Sequence, residues 1–203
     1  MKQQIATLIT SGVLALALIG TAMAGPFEDG QAAYMRDDYA EALRLWGQLA
    51  DQGDARAQFS VGKMYYIGQG VRRDYAQADK WFQKAADQGF AYAQFNLGVA
   101  YENGSLGVPQ DYALAHMWFN LASSPATNTE LREMAVQNRD QVATKMTPAQ
   151  IDEAQRMARE WKPRLPPSCP TSTRAGEHCD ASNVRRGPMS ADIENASDAV
   201  ARP

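Results

Sequence analysis

Apolar, aromatic and small residues recur at helical spacing through the middle of the chain, and glycine-rich segments interrupt them where helices must stop. The pattern predicts a first helix over 55–67. A second helix is expected after Asp74, whose carboxylate can accept hydrogen bonds from the first turn, and Gly89 is predicted to end it. Small side chains at Gly62 and Ala78 should let the two helices approach closely. The predicted buried stripe of the second helix is Ala78, Trp81, Phe82 and Ala85.

This helix pair is one unit of an internal repeat. Eight residues of segment 53–68 recur unchanged in segment 89–104, a separation of 36 residues. Beyond them the match continues at a separation of 37, because one residue is inserted between Gly104 and Gly107. The first unit lacks the Gly-x-Gly-Val loop and is predicted to be shortened. The chain therefore has about three units, at 27–53, 54–89 and 90–125.

Two further helices are predicted after the repeats, over about 127–161. Segment 127–145 is polar but carries apolar residues at near-helical spacing, consistent with a helix that packs by one face on the last unit. Thr147 then provides a hydroxyl N-cap, with Pro148 at the first helical position and Gln150 at the third. We expect this pair to close the open end of the helix array.

The segment 163–203 is predicted to be a disordered tail, since it contains six of the ten prolines and no aromatic residue. Its two cysteines, Cys169 and Cys179, could close a local disulfide in an oxidising compartment, or remain free or intermolecular thiols. Together with His178 they could also be imagined as a metal cluster. No fourth ligand lies nearby in the sequence, so we expect no metal site.

The first 24 residues have the pattern of a secretory signal. Lys2 precedes an apolar run centred on 13–19, and the small residues Ala22 and Ala24 suit a cleavage site after Ala24. An uncleaved membrane anchor is the alternative, but no basic stop-transfer flank follows the run. A chain that begins at Gly25 has no cysteine there for lipid attachment. We therefore expect a periplasmic or secreted protein without a stable membrane anchor.

Charge and composition disfavour nucleic-acid binding and catalysis. With 20 Lys and Arg against 23 Asp and Glu, the net charge of -3 gives no basic footprint for a phosphate backbone. The only histidines are His116 and His178, and no nucleophile, zinc-peptidase or phosphate-loop motif accompanies them. His116 takes the repeat position of Asp79 and is expected on the solvated surface. We therefore expect no catalytic residue and no cofactor.

The repeat resembles the Sel-one-like repeat, a variant of the tetratricopeptide repeat with a longer loop inside each helix pair. The resemblance rests on Ala-x-Ala-Gln-Phe-x-x-Gly-x-x-Tyr-x-x-Gly-x-Gly-Val followed by Asp-Tyr-x-x-Ala-x-x-Trp-Phe-x-x-Ala-Ala-x-x-Gly, which 54–89 matches almost throughout. Segment 90–125 departs from the pattern by its loop insertion. The resemblance implies an all-α fold, a right-handed α-solenoid of helix pairs with a C-terminal capping pair.

In related solenoids the first helix of each pair lines the concave face. By motif position, the candidate partner-binding residues are Tyr34, Arg56, Phe59, Lys63, Tyr66, Tyr92, Phe95, Val99, Glu102 and Asn103. Their amphipathic aromatics suit an extended peptide or a helix. Phe59 and Phe95 occupy one repeat position, however, and could instead seal neighbouring units. The four tryptophans at positions 46, 81, 118 and 161 are expected in the core rather than on a ligand-stacking surface.

Two functions compete. The resemblance implies a non-catalytic scaffold or adaptor that binds a protein or peptide, and exported bacterial members of the family are linked to the cell envelope. The alternative is a β-lactam-binding or β-lactamase-like enzyme, as associated with secreted cysteine-rich relatives. Those relatives carry a cysteine pair in each repeat, whereas both cysteines of this chain lie outside the repeats.

Overall fold

The computed structural model describes residues 25–124 and 127–165, which form eight α-helices. The predicted signal segment 1–24, both cysteines and the tail beyond Leu165 lie outside the described residues. No helix within the described ranges has the length and apolarity needed to cross a membrane. The helices are α1 Pro26–Met35, α2 Tyr39–Asp51, α3 Ala55–Ile67, α4 Tyr75–Asp87, α5 Ala91–Asn103, α6 Tyr112–Ala122, α7 Thr129–Ala143 and α8 Pro148–Glu160.

The first six helices form three antiparallel pairs that stack in a solenoid, with α2 against α3 and α4 against α5. The predicted bounds of α3 are confirmed, and the carboxylate of Asp74 accepts from the Gln77 backbone N–H at 3.0 Å to cap α4. Gly89 has the predicted positive φ, 89°, just past the end of α4. The first pair is joined by the short segment 36–38, as its missing loop motif predicts.

Glycines set the distance between the two helices of a pair. A Cβ atom at Gly62 would lie 2.8 Å from the Phe82 ring, and one at Gly98 would lie 2.6 Å from the Phe119 ring. Distances this short are not tolerated, so only glycine lets these rings lie flat on the facing helix. Phe82 and Phe119 are accordingly fully buried.

The tryptophans do not share one environment. Trp46 and Trp118 are buried, as predicted. Trp81 is only partly buried, and the Lys84 ammonium lies 3.9 Å from the centre of its ring. Trp81 packs against the core as predicted but is less buried than Phe82, which occupies the centre of the contact with α3. Trp161 is also partly buried, at the end of α8.

The last two helices both pack on the third unit. α7 packs against α6 and approaches α5, whereas the main packing partner of α8 is again α6 rather than α7. The predicted capping box at the start of α8 is confirmed, because Thr147 and Gln150 exchange hydrogen bonds. Beyond α8 the chain returns to α4, where the backbone N–H of Arg164 donates to the Asp87 carbonyl at 2.7 Å.

Candidate protein-binding surface

The ten candidate residues divide into an accessible group and a buried group. The accessible group, which is partly or fully exposed, is Tyr34, Arg56, Lys63, Tyr66 and Asn103. The buried group is Phe59, Tyr92, Phe95, Val99 and Glu102. Four of the five accessible residues belong to α1 and α3, and four of the five buried residues belong to α5. The accessible residues therefore gather at the N-terminal end of the face formed by the first helices, α1, α3 and α5, which we call the first-helix face.

A pocket open to solvent lies between α1 and α3 on this face. Its lining residues are Gln31, Tyr34, Met35, Trp46, Phe59, Ser60 and Lys63. Met35 is 56% exposed, unusually so for a large apolar side chain. Motif comparison missed Gln31, Met35 and Ser60. Gln31 and Met35 lie in the first unit, whose first helix matches the motif poorly, whereas Ser60 lies in α3 at a position that the motif does not specify. Each of these three residues lies one helical turn from another lining residue of the same helix, and this spacing could have identified them from the sequence.

The floor of the pocket is fixed by the indole of Trp46. Its Nε1–H donates to the Phe27 carbonyl at 3.0 Å, and its ring lies 5.7 Å from Phe27 and 5.5 Å from Tyr34, measured between ring centres. A Cβ at Gly30 would come within 2.5 Å of the indole nitrogen, so glycine is required for this position of the ring. The apolar floor is therefore held in place before any partner binds.

Tyr34 and Lys63 form one wall of the pocket. The Tyr34 hydroxyl donates to the Gln69 side-chain oxygen in the loop before α4, and the Lys63 ammonium lies 5.3 Å from the centre of the Tyr34 ring. Burial raises the pKa of Tyr34, so the phenol is protonated at neutral pH. The wall combines an aromatic face, a phenol and a positive charge.

Arg56 has a structural role beside the pocket. Its guanidinium carbon lies 4.4 Å from the centre of the Phe27 ring, and its nitrogens lie 3.5 Å from Glu28 and 3.8 Å from Asp54. These contacts connect α3 to α1. We assign Arg56 to holding the two walls together rather than to contact with a partner.

The C-terminal end of the first-helix face is covered by α7. The side-chain amide of Asn128 donates to the Tyr92 hydroxyl at 2.7 Å, while its oxygen caps α7 by accepting from the Leu131 N–H at 2.8 Å. At the other end of α7, the Lys145 ammonium lies 2.9 Å from a Glu102 carboxylate oxygen. α7 thus takes the place that the first helix of a further unit would occupy, and α7 with the residue Lys145 beyond it covers Tyr92 and Glu102 near the two ends of α5.

Phe59 contacts the next unit, as the alternative interpretation expects, whereas the ring contact of Phe95 lies within its own unit. The Phe59 ring lies 5.3 Å from Phe90 and 6.2 Å from Tyr92, both in the next unit. Phe95 contacts Phe119 within its own unit at 5.5 Å. Only the edge of Phe59 reaches the pocket, since the residue is 3% exposed.

The expectation that His116 is solvated is wrong. His116 is 3% exposed, and its Nδ1 has no hydrogen-bond partner within the described part of the chain. The position differs from that of Asp79 because α7 covers α6 here, with Arg139 and Asp140 close enough to affect its charge. Burial, reinforced by Arg139, lowers the pKa of His116. Among residues 25–124 and 127–165, no three His, Cys, Asp or Glu side chains are grouped to hold a metal ion.

The stacked helix pairs and the open surface define a repeat solenoid of the protein-interaction class. The Sel1 repeat matches residues 21–54, 55–90 and 91–124, just over half of the chain, and the chain belongs to this family. Sel1 repeat proteins are generally protein-interaction scaffolds, and their fold is typically non-enzymatic.

Two solved structures are similar to this chain. The first is c5321, a protective antigen present in uropathogenic Escherichia coli strains, which displays the same Sel1-like repeat fold. It is 27% identical with a TM-score of 0.61, and the match covers 75% of this chain and 34% of that one, so this chain spans about a third of its length. The second is a Sel1 repeat protein from Oxalobacter formigenes, 26% identical with a TM-score of 0.46, covering 74% and 72% of the two chains. No curated protein matches this chain.

Proposed function

We propose that this protein is a non-catalytic adaptor of the bacterial cell envelope that holds a protein partner at the pocket between α1 and α3. The observation that carries the proposal is the pocket itself. Its apolar floor is fixed by Trp46, its mouth exposes Met35, and its wall carries the charge of Lys63. Neither the family match nor the similar structures support a β-lactam-acting enzyme.

The chemistry of the pocket suits one large apolar side chain projecting from an extended segment or a helix. Rings of Tyr34 and Trp46 offer rigid contact area, and Met35 can adapt its shape to the incoming group. Buried anchors of this kind supply most of the free energy of protein association, while polar groups at the rim fix orientation. Gln31, Ser60 and Lys63 are placed to do the latter.

Export is supported by the apolar run before residue 25 and by the small residues Ala22 and Ala24, which suit a cleavage site after Ala24. Intact-mass measurement of the protein recovered from envelope fractions should give a chain that begins at Gly25. A membrane-bound product that retains Met1 would contradict the proposed location.

The binding site is tested with two surface variants and one control. Met35→Arg places a charged group at the mouth of the pocket, and Lys63→Glu reverses the charge on its wall. Lys80→Glu, at an exposed position of α4, makes the same charge reversal on a second helix. The partner is captured from envelope extract, identified by mass spectrometry, purified and titrated against each variant by calorimetry.

Met35→Arg should weaken partner binding by about tenfold or more, because a charged side chain at the mouth would keep the partner's apolar side chain out of the pocket. Lys63→Glu should have a smaller effect, and Lys80→Glu none. All three variants should melt within a few degrees of the wild type, since none alters a fully buried side chain. Unchanged affinity of Met35→Arg would place the partner elsewhere.

A further inference from the structure

A tyrosine begins the second helix of each unit, and the three tyrosines have different surroundings. Tyr39 is covered by the loop of the next unit, where a Cβ at Gly70 would lie 2.8 Å from the Tyr39 carbonyl oxygen. Tyr112 is partly covered by the segment just after α7, where the Lys145 ammonium lies 5.3 Å from the ring centre. Tyr75 has no such cover and is 43% exposed.

The inserted residue of the third loop explains why Tyr75 is uncovered. Gly107 is the repeat equivalent of Gly70, yet among the described residues no atom lies within 4 Å of its Cβ position. The longer loop buries Leu106 instead, which is 4% exposed and has a φ of 59°. In a regular stack this loop would cover Tyr75. Here it packs against the third unit, to which it belongs, and leaves Tyr75 uncovered.

The uncovered surface carries aromatic, apolar and positively charged groups, and we call it the Tyr75 patch. Its residues are Tyr66, Ile67, Arg72, Arg73 and Tyr75. The rings of Tyr66 and Tyr75 lie 5.5 Å apart, and the Arg73 guanidinium carbon lies 5.3 Å from the Tyr75 ring centre. Ile67 is 38% exposed.

The positive charges of the patch are not neutralised by the surrounding structure. Arg72 and Arg73 are both exposed, and neither forms an ion pair with any other described residue. The adjacent carboxylate of Asp74 is used by the α4 cap. The equivalent positions are Pro109 and Gln110 in the third unit and Arg36 and Asp37 in the first, so only the middle unit has two positive charges here.

We propose that the Tyr75 patch is a second protein-binding surface whose partner is an acidic segment carrying an apolar side chain. Guanidinium groups bind carboxylates with paired, directional hydrogen bonds, and the apolar neighbours offer contact area beside them. Tyrosine and arginine are also the residue types that contribute most at protein interfaces. The patch begins one helical turn beyond Lys63 on α3, so it borders the pocket but is made of different residues.

The proposal is tested with a fluorescent peptide, Glu-Asp-Leu-Glu-Phe-Asp-Glu, titrated into the purified chain and followed by anisotropy. A matched peptide replaces every Glu by Gln and every Asp by Asn, which keeps shape and removes charge. The double variant Arg72→Glu with Arg73→Glu removes the positive charge of the patch, and Tyr75→Ser removes its exposed ring. Lys80→Glu with Arg159→Glu makes an equal change of net charge at exposed positions elsewhere.

The acidic peptide should bind, and its affinity should fall with added salt. The amide peptide and the double arginine variant should each weaken binding by about tenfold or more, Tyr75→Ser by a few-fold, and the control pair by less than about twofold. Three results would overturn the proposal: no binding, equal loss in the control pair, or loss in Met35→Arg but not in the arginine variant. If the chain bound anionic vesicles in preference to the peptide, the patch would be assigned to a membrane surface. If the chain self-associated and the arginine variant did not, the patch would be assigned to a second copy of the chain.

Discussion

α3 and α5 are copies of one repeat element, yet they present opposite surfaces. Both carry a phenylalanine at the same position, Phe59 and Phe95, and a glycine that fits the ring of the partner helix. α3 leaves a pocket open against α1, whereas α5 is covered by α7 and almost wholly buried. A repeat position therefore stays accessible only where no neighbouring helix covers it.

The side chains at equivalent positions of α3 and α5 also differ, in keeping with one helix being open and the other covered. Lys63 of α3 corresponds to Val99 of α5, and Tyr66 corresponds to Glu102. Val99 is 6% exposed, and the Glu102 carboxylate pairs with Lys145, just beyond the end of α7. α3 therefore keeps amphipathic side chains that solvent can reach, while α5 carries side chains matched to the neighbouring segment.

The largest expected effect concerns the covered region. Phe119→Ala removes a fully buried ring that packs on Gly98, and it should lower the free energy of unfolding by about 3–5 kcal/mol. Trp81→Ala should cost clearly less, because that indole is only partly buried. Denaturant titration followed by circular dichroism measures both. Equal losses would show that the helix contact does not centre on the phenylalanine.

A second pair of variants compares the two surfaces at aromatic residues. Tyr92→Ala removes a buried ring and leaves Asn128 without its partner, so a loss of about 3 kcal/mol is expected. Tyr66→Ala, at a partly buried position, should cost about 1 kcal/mol. The measurement is again the free energy of unfolding. If Tyr66 proved the more costly, the open and covered ends of the first-helix face would be wrongly assigned.

The attachment of α7 is tested by Asn128→Ala. The change removes the N-cap of α7 and the hydrogen bond to Tyr92, and it should lower the free energy of unfolding by about 1–2 kcal/mol. Amide hydrogen exchange should accelerate in α7 and along α5 but not in α1. Acceleration confined to α1 would contradict the covering role of α7.

The smallest expected effect is a pH dependence from His116. Its pKa is lowered by burial and by Arg139, against a smaller opposing effect of Asp140, so the folded chain binds fewer protons there than the unfolded chain. Stability should therefore fall as the pH drops below about 6.5, where the unfolded imidazole becomes charged. Over this pH range the melting temperature of His116→Leu should fall less than that of the wild type. An equal slope in the variant would assign the effect to other groups.

The sequence predicted the structural features that depend on residues within one repeat unit or one helix. The bounds of α3, the Asp74 cap, the short first unit and the capping box of α8 all depend on residues close in the chain, and all are confirmed. Repeat similarity also predicted the solenoid, because each unit must bury its apolar face against the next.

The sequence predicted that α7 packs on the last unit, but not which side chains it covers there. α7 matches no repeat, so motif position could not identify these contacts, and His116 and Glu102 were expected to be accessible. The pocket was missed in part because Met35 lies at a position of the shortened first unit that the internal repeat comparison did not match. Such contacts depend on tertiary packing rather than on the local pattern.

The central claim, that a partner protein binds at the open end of the first-helix face, is tested most directly by photo-crosslinking in living cells. A photoreactive amino acid replaces Met35 at the pocket, Val99 on the covered helix, or Lys80 on α4 in three otherwise identical chains. We predict one discrete adduct with another protein from position 35, reduced in yield when Lys63→Glu is added, and none from positions 99 or 80. An adduct from position 80 or 99 with none from position 35 would contradict the assignment of the pocket as the binding site.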